Sequence, residues 1–506
     1  MSVLVVDVGT QRLKVSIIDE HGRVISQVNE EYDPPYISPK PGWAETDAEE
    51  IFNRFVEMAS TLDGKNSVEA VTVTTQRDSL VFVDKDGKTL RRAILWFDHR
   101  LANYDLKLPL FMNIFYTLVG ARKVIRSVYK QAKVNWVRQN EPDVWKKTYK
   151  VLQMSGYFVS RMTGNFVDSI ASQVGHIPFD YKKKDWCSSK DIKSYLFPIP
   201  REKLPDLMTP SSSAGNLRKE IANKIGINTV PVILSGSDKA CEILGLGTKD
   251  ENEVALSLST TSIAATTTRK YFEPLPHLPP YPGIMPGTYN PEVEIFRGFW
   301  LVRWFRDEFA HPERKKAFEN NTKPEKLFDN FLKKTPPGSL GLITHPYWTP
   351  GLDKPQIRGS IIGFSSFHKR EHIYRSLVEG LFFALREGKE RLETRGKIKF
   401  KRAVVGGGAS ESDEIVKIAS SVMNLPVYRS KVEASMIGAA MTTFVGTGKF
   451  SNFQEAISNM KKLEGPFEPD PHLIDLYSEI YERVYKKIYR RIKKLTSEIE
   501  KIISST

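Results

Sequence analysis

The chain opens on three apolar runs of β type, at residues 3–8, 13–18 and 24–28, separated by two polar turns. The first break is Gly9-Thr10-Gln11-Arg12 and the second spans residues 19–23. Short runs bounded by turn residues predict a β-meander at the head of an α/β domain. The theme returns at 253–268, where an apolar stretch meets a hydroxyl-rich turn (259–262) and a second apolar stretch leaves it. Two such units in a chain of 506 residues predict two similar domains, each opened by a hairpin.

Further along, residues 68–74 read as a strand, and helices rich in Lys, Trp and Asn are expected around 131–150. Asp84-Lys85-Asp86-Gly87 has the start of a calcium loop, but Leu95 stands where the bidentate Glu is needed, so a hairpin turn is expected. Residues 401–405 form a buried strand that runs into Gly406-Gly407-Gly408-Ala409, with helical periodicity over 411–422. In the C-terminal segment, Leu476, Ile480, Val484, Ile488, Ile492, Leu495, Ile499 and Ile502 predict one helix with a buried stripe and a solvated basic back.

Composition narrows the function. The 74 Lys+Arg outnumber 60 Asp+Glu, a net charge of +14, but the charge is dispersed and no nucleic-acid-binding motif accompanies it. Nucleic acid is therefore not the expected partner. Two cysteines, Cys187 and Cys241, cannot build a disulfide framework or a Cys-based zinc site alone. The N-terminus lacks a basic leader, and no run of about 18 apolar residues occurs; a cytoplasmic protein without a membrane span is expected.

Four places carry chemistry. Asp7 ends the first strand before Gly9 and Thr10, an arrangement that holds a metal–phosphate unit or simply makes a glycine hairpin. The glycines at 406–408 let a nucleotide approach the backbone, or only tighten a strand–helix turn. No G-x-x-x-x-G-K-[ST] occurs, so nucleotide use of the P-loop kind is excluded. Asp238, in Ser235-Gly236-Ser237-Asp238-Lys239 after an apolar strand, is placed either to accept a hydroxyl proton or to cap the helix that follows. Gln76-Arg77-Asp78, with residues 93–100 downstream, offers adjacent amide, cation and carboxylate, suited to a polyhydroxylated ligand or to a surface ion pair.

In order and spacing these pieces resemble the FGGY family of carbohydrate kinases, from residue 3 to about 450. DVGTQRLK resembles that family's first phosphate loop, and PKPGWAETDAEEIF (39–52) its PGW-E-D-P-E-E segment. TQRDSLVFVDKDGKTLRRAILWFDHR (75–100) is similar to its substrate-binding stretch, and KVNWVRQNEP (133–142) to its K-x-x-W-x-x-x-x-E-P helix. SGSDKACEILGLG (235–247) resembles the segment with the family's catalytic Asp, WFRD (304–307) its W-L-R-D helix, and VVGGGAS (404–410) its adenosine loop. RGSIIGFSSFHKREHIYRSLVEG (358–380) is similar to the second family signature, with Arg358, Gly359, Gly363, Arg370, His372, Arg375, Glu379 and Gly380 in step.

The resemblance implies an α/β chain of two actin-like (ribonuclease-H-like) domains, 1–247 and 248–506, with an ATP/sugar cleft between them. The second domain would end in the basic amphipathic helix. It implies an ATP-dependent kinase acting on a sugar, polyol or sugar acid, with Mg²⁺ as metal. By position, Asp238 would be the general base and Asp7 would hold Mg²⁺. Gly9, Thr10, Gln11, Arg12 and Lys14 would meet the β/γ-phosphates, with Ser259 and Thr260 in a second phosphate loop. Gly407, Gly408 and Ala409 would back the adenosine, while Gln76, Arg77, Asp78, Trp96 and Lys239 would line the sugar site.

Some positions depart from the family pattern. Arg12 replaces a small hydroxyl residue, and a guanidinium there can still bind phosphate. Ser259 replaces a common Gly, which matters if the turn needs a positive φ. Lys239 stands where Gln is common: it would pair with a substrate carboxylate, or be held by Asp78 or Glu242 beside a neutral acceptor. A catalytically weak sugar-sensing pseudokinase is the alternative reading. The basic C-terminal helix has two roles open, packing on its own lobe or pairing with a second subunit in a homodimer.

Overall fold

The computed structural model describes residues 1–351, 354 and 357–504. Its contacts divide the chain into two units. Unit 1 comprises Met1–Gly245, Tyr281–Tyr289 and Ser435–Lys461; unit 2 comprises Leu246–Pro280, Asn290–Ala434 and Lys462–Thr506. The division is interleaved where the sequence implies a single cut after residue 247, because two later segments pack back onto unit 1.

In unit 1 the predicted meander is β1 (Ser2–Val8), β2 (Arg12–Asp19) and β3 (Val24–Glu31). β4 (Val68–Thr75) runs parallel to β1, while β5 (Ser213–Asn216) and β6 (Pro231–Ile233) complete a six-stranded sheet in the order β5-β6-β4-β1-β2-β3. Every residue of β1 is buried, as expected of a central strand covered on both faces. Helix α1 (Ala48–Ser60) starts at Asp47, whose Oδ1 accepts the N–H groups of Glu49 (3.0 Å) and Glu50 (3.1 Å). It buries Ile51, Phe52 and Phe55 in the core shared with Val6, Val15 and Val73. Helix α2 (Lys133–Asn140) lies in the K-x-x-W segment, α3 (Met154–Thr163) brings Phe158 edge-on to Phe52, and α4 (Asp238–Gly245) follows β6.

Unit 2 repeats the plan. β7 (Glu253–Leu258), β8 (Ser262–Ala265) and β9 (Glu292–Ile295) form the antiparallel half. β10 (Arg402–Gly406) and β11 (Val427–Ser430) add parallel strands, and β12 (Leu463–Phe467) closes the edge, in the order β9-β8-β7-β10-β11-β12. Helices α5 (Arg370–Gly396) and α6 (Asp413–Met423) pack Phe382, Leu385, Val416 and Ala419 into the core with Leu256 and Val405.

The C-terminal end of the segment 358–380 holds a buried brace. Arg375 Nε pairs with Glu379 Oε1 (2.7 Å) and its Nη1 donates to Thr335 O (2.9 Å), while Glu379 accepts Gly338 N–H (3.0 Å) and Tyr477 OH (2.8 Å). A buried pair satisfied on all sides is costly to break from either end.

The C-terminal helix corrects the sequence expectation. It consists of α7 (Pro471–Ile480), a π turn at Tyr481–Tyr485 and α8 (Lys486–Ser504). The buried row is Tyr477, Tyr481, Tyr485 and Ile488, while Leu476, Val484, Leu495, Ile499 and Ile502 are exposed. The tyrosines take the interior because their rings gather round Phe383 and the hydroxyls of Tyr477 and Tyr481 reach Glu379 and Glu390. Of the expected aliphatic row, Ile488 is buried and Ile480 and Ile492 pack half-buried against the core, while the rest fall one position round the helix.

Candidate active-site residues in each unit

In unit 1 the carboxyl ends of β1, β4 and β6 lie side by side, since β1–β4 and β4–β6 are both parallel. Crevices outside such strand ends are the usual ligand sites of α/β sheets. Asp7 sits beside Thr74, and Thr75 bridges to Ser237. Hydroxyls stitch the third strand to β4: Thr72 Oγ1 donates to Ile233 O (2.8 Å), Thr74 Oγ1 to Gly236 O (3.0 Å) and Ser235 Oγ to Val73 O (2.7 Å). That lacing fixes the backbone leading into Asp238.

Asp238 is the first residue of α4. Ser237 Oγ accepts the Ala240 N–H (3.4 Å), so the capping duty falls to Ser237, and Asp238 Oδ1 takes the neighbouring Lys239 N–H (2.7 Å). Burial pushes the Asp238 carboxyl up to about 6, against the pull of Lys239 and Arg77 and with help from the charge of Asp7. Lys239 is engaged: its Nζ lies 2.7 Å from Glu242 Oε2. Burial works against its charge, but Glu242 and Asp238 hold the ammonium above its ordinary range.

Asp7 is buried, which raises its carboxyl above the ordinary range against the opposing charge of Lys14, its cross-strand neighbour. Its Oδ2 accepts Ser435 Oγ (2.9 Å), a partner from the far end of the chain that no local pattern announces. The Gly9 turn closes through Gly9 N–H to Arg12 O (3.1 Å). Thr10 Oγ1 accepts Trp96 Nε1 (3.0 Å) and donates to Gln76 Oε1 (2.8 Å), joining the expected phosphate loop to two expected sugar-site residues. Gln11 contributes its carbonyl to Tyr32 N–H (2.9 Å). The Arg12 side chain is 46% exposed and its guanidinium pairs with Glu31 at 2.9 Å.

Arg77 lies over the Tyr281 ring (5.1 Å to the centroid), a second partner that sequence order conceals. Asp78 is engaged inside the unit. Its backbone is left-handed (φ 52°), its Oδ1 accepts His176 N–H (3.0 Å), and its Oδ2 takes Lys133 Nζ (3.0 Å) and His176 Nδ1 (2.8 Å). Burial alone would raise this carboxyl, but Lys133 and His176 hold it far below the usual range.

In unit 2, β7 and β10 run parallel with Ser257 opposite Gly406, which sets the 259–262 turn against the glycine run. Gly407 has φ 95°, and a Cβ there would lie 2.8 Å from Leu258 C and 2.7 Å from Ser259 Oγ, whereas Gly408 faces open space. Ser259 does not enter the left-handed region, so the replacement of Gly is unstrained. Its carbonyl accepts Phe299 N–H (3.1 Å); Thr260 is exposed, and Ala409 lies in the short 3₁₀ turn Gly408–Glu411.

Comparison with known proteins gives the family. Residues 2–245 match the N-terminal domain of the FGGY family of carbohydrate kinases and residues 254–447 its C-terminal domain. A xylulose kinase of Lactococcus lactis subsp. lactis is 28% identical over 497 residues, covering 94% of each chain. Among solved structures, a ligand-bound xylulose kinase from Lactobacillus acidophilus superposes with a TM-score of 0.82 at 21% identity, covering 98% of this chain and 99% of that one. A gluconate kinase from the same organism reaches 0.81 at 21% identity, covering 99% and 100%. No described helix is long and apolar enough to cross a membrane. With both halves of one family matched in order, and two actin-like α/β domains to carry them, this chain belongs to the FGGY carbohydrate kinases, ATP-dependent sugar phosphotransferases.

Proposed function

We propose that the chain moves the γ-phosphoryl group of ATP to a hydroxyl of a neutral ketose of the xylulose class, with Asp238 as general base. The observation that carries this reading is the Asp238 carboxyl itself, lifted to about 6 by burial beside Arg77. A base of that strength is ionised at neutral pH and still basic enough to draw the proton from a hydroxyl as the O–P bond forms. Phosphoryl transfer needs little covalent assistance, so holding the acceptor and neutralising charge supply most of the rate. The full-length likeness to xylulose kinases supports a ketose, and the Lys239–Glu242 pair supports a neutral one, because the ammonium is already matched by a carboxylate.

Asp7 fits a magnesium ligand. It is a buried carboxylate at a strand end, and no cluster of three acidic, His or Cys groups able to hold a metal alone occurs among the described residues. Mg²⁺ typically takes one or two carboxylates and completes its shell with phosphates and water. When bound it would neutralise triphosphate charge. The chain's own parts do the rest: the Gly9–Gln11 turn and Lys14 meet the phosphates, with Arg12 joining only by leaving Glu31. Ser259 and Thr260 add a second phosphate contact, and Gly407, Gly408 and Ala409 back the adenosine. Gln76, Arg77 and Trp96 line the acceptor, and Asp238 carries its proton away.

Coupled ADP release measured with D-xylulose, D-ribulose, glycerol and D-gluconate tests this. Acceptor-dependent ADP formation, greatest with a ketose, is expected. Thermal stabilisation by sugar without ADP formation on any acceptor would instead make the chain a sensor.

A further inference from the structure

Resting on that acceptor site, the geometry points to a residue outside every motif: we infer that His176 presents Nε2 as a hydrogen-bonding group for one acceptor hydroxyl, with Asp78 positioning the ring rather than touching the sugar.

The argument starts from the saturation of Asp78. Its two oxygens accept three donors, the His176 N–H, the His176 ring Nδ1 and the Lys133 ammonium, at 2.8–3.0 Å. Lys133 is itself buried, so the pair is a fixed internal strut. Drawing a sugar hydroxyl onto Asp78 would mean displacing a charge-assisted bond, which is stronger than a neutral one. Because an ionised carboxylate can only accept, the 2.8 Å contact makes Nδ1 the donor. In the neutral ring the lone pair then belongs to Nε2, and a lone pair receives a hydroxyl proton.

That nitrogen is available. The His176 side chain is 27% exposed, and its Nε2 has no hydrogen-bond partner among the described residues. The ring is held for the task. Phe197 packs edge-on at 5.8 Å, Gly175 N–H bonds Tyr181 OH (3.2 Å), and Gln153 Nε2 holds Val174 O (3.0 Å). Gly175 has φ 117° with the Asp78 carboxyl pressed where a Cβ would stand, so only glycine lets the loop approach. Asp78 follows Arg77, which lies over Tyr281; Tyr281 meets Tyr181 edge-on at 5.6 Å, and Tyr181 OH accepts Gly175 N–H, so the loop that carries His176 packs beside Arg77, whose charge acts on Asp238. A second-sphere carboxylate that fixes one ring nitrogen while the other meets the ligand is the logic by which enzymes orient histidines.

The test is isothermal titration of the full chain with D-xylulose and its 1-, 3- and 4-deoxy analogues, beside coupled ADP release. For His176→Ala, the Kd for D-xylulose should rise about tenfold, the loss of one well-made hydrogen bond, with KM for ATP unchanged. One deoxy analogue should bind wild type about tenfold more weakly than D-xylulose, and that penalty should vanish in His176→Ala. His176→Gln, whose terminal amide reaches toward the Nε2 position, should restore part of the affinity. An unchanged Kd, failure of wild type to bind D-xylulose, or identical analogue penalties in wild type and His176→Ala would overturn the assignment. Sugar binding that responds to His176 without ADP release would uphold the assignment while removing the kinase reading.

Discussion

The two sheets share one spatial order and set of strand directions, though the antiparallel edge strand precedes the last parallel strand in unit 1 and follows it in unit 2, and they differ in what stands at their strand ends. In each, an antiparallel trio is followed by two parallel strands and an antiparallel edge, β5-β6-β4-β1-β2-β3 in unit 1 and β9-β8-β7-β10-β11-β12 in unit 2. At the ends of its parallel strands unit 1 has Asp7, Gln76 and Asp238, while unit 2 has Ser257, Gly406–Gly408 and Ser430. One strand arrangement thus presents carboxylates in one unit and, in the other, backbone that side chains leave open. Chemistry here is a property of the strand ends and not of the fold.

The sharpest way to break that contrast is Asp238→Asn. It should lower kcat by at least about 10²-fold with KM for ATP unchanged, as stopped-flow or coupled assay would show. In wild type, kcat should fall as pH drops through about 6, since only the ionised carboxylate accepts a proton; a profile flat to pH 5 would remove the base from the mechanism.

Next in size is the glycine pair of unit 2. Gly407→Ala must fit a Cβ at 2.8 Å from Leu258 C with φ 95°, and should cost about 2–3 kcal/mol in chemical denaturation together with weaker ADP binding. Gly408→Ala meets nothing within 4 Å and should leave stability within about 0.5 kcal/mol. Equal effects would mean that the run is a turn and nothing more.

A third outcome concerns stability. Because the folded-state value for Asp238 is raised above 3.8, its contribution is fully present below that pH and is lost as pH rises through about 6. Asp238→Asn should therefore be more stable than wild type at pH 8, by roughly 1–3 kcal/mol, and little different at pH 4. Smallest is Arg12→Ser, which breaks an exposed pair with Glu31 and should shift unfolding by less than about 1 kcal/mol.

Sequence legibility followed the range of the interaction. The meanders, the Asp84 turn and the strand–glycine–helix segment at 402–423 were readable because they depend on neighbours in the chain. So were the positions of Asp7 and Asp238, whose strand-end settings are local. The partners were not. Ser435 on Asp7, Tyr281 under Arg77 and His176 on Asp78 meet only through tertiary folding, and with them went the true occupation of Asp78. The aliphatic row of the last helix misled for a related reason: period alone cannot rank Val484 against Tyr485 for the interior when the tyrosines have rings and carboxylates waiting for them.

The lacing of Thr72, Thr74 and Ser235 has a mechanical meaning. It bolts the segment before Asp238 to the strand that ends at Thr75, just before Gln76, so Asp238 and Gln76 are carried on one laced block. A motion that accompanied turnover would carry Asp238 and Gln76 together and leave their mutual alignment untouched.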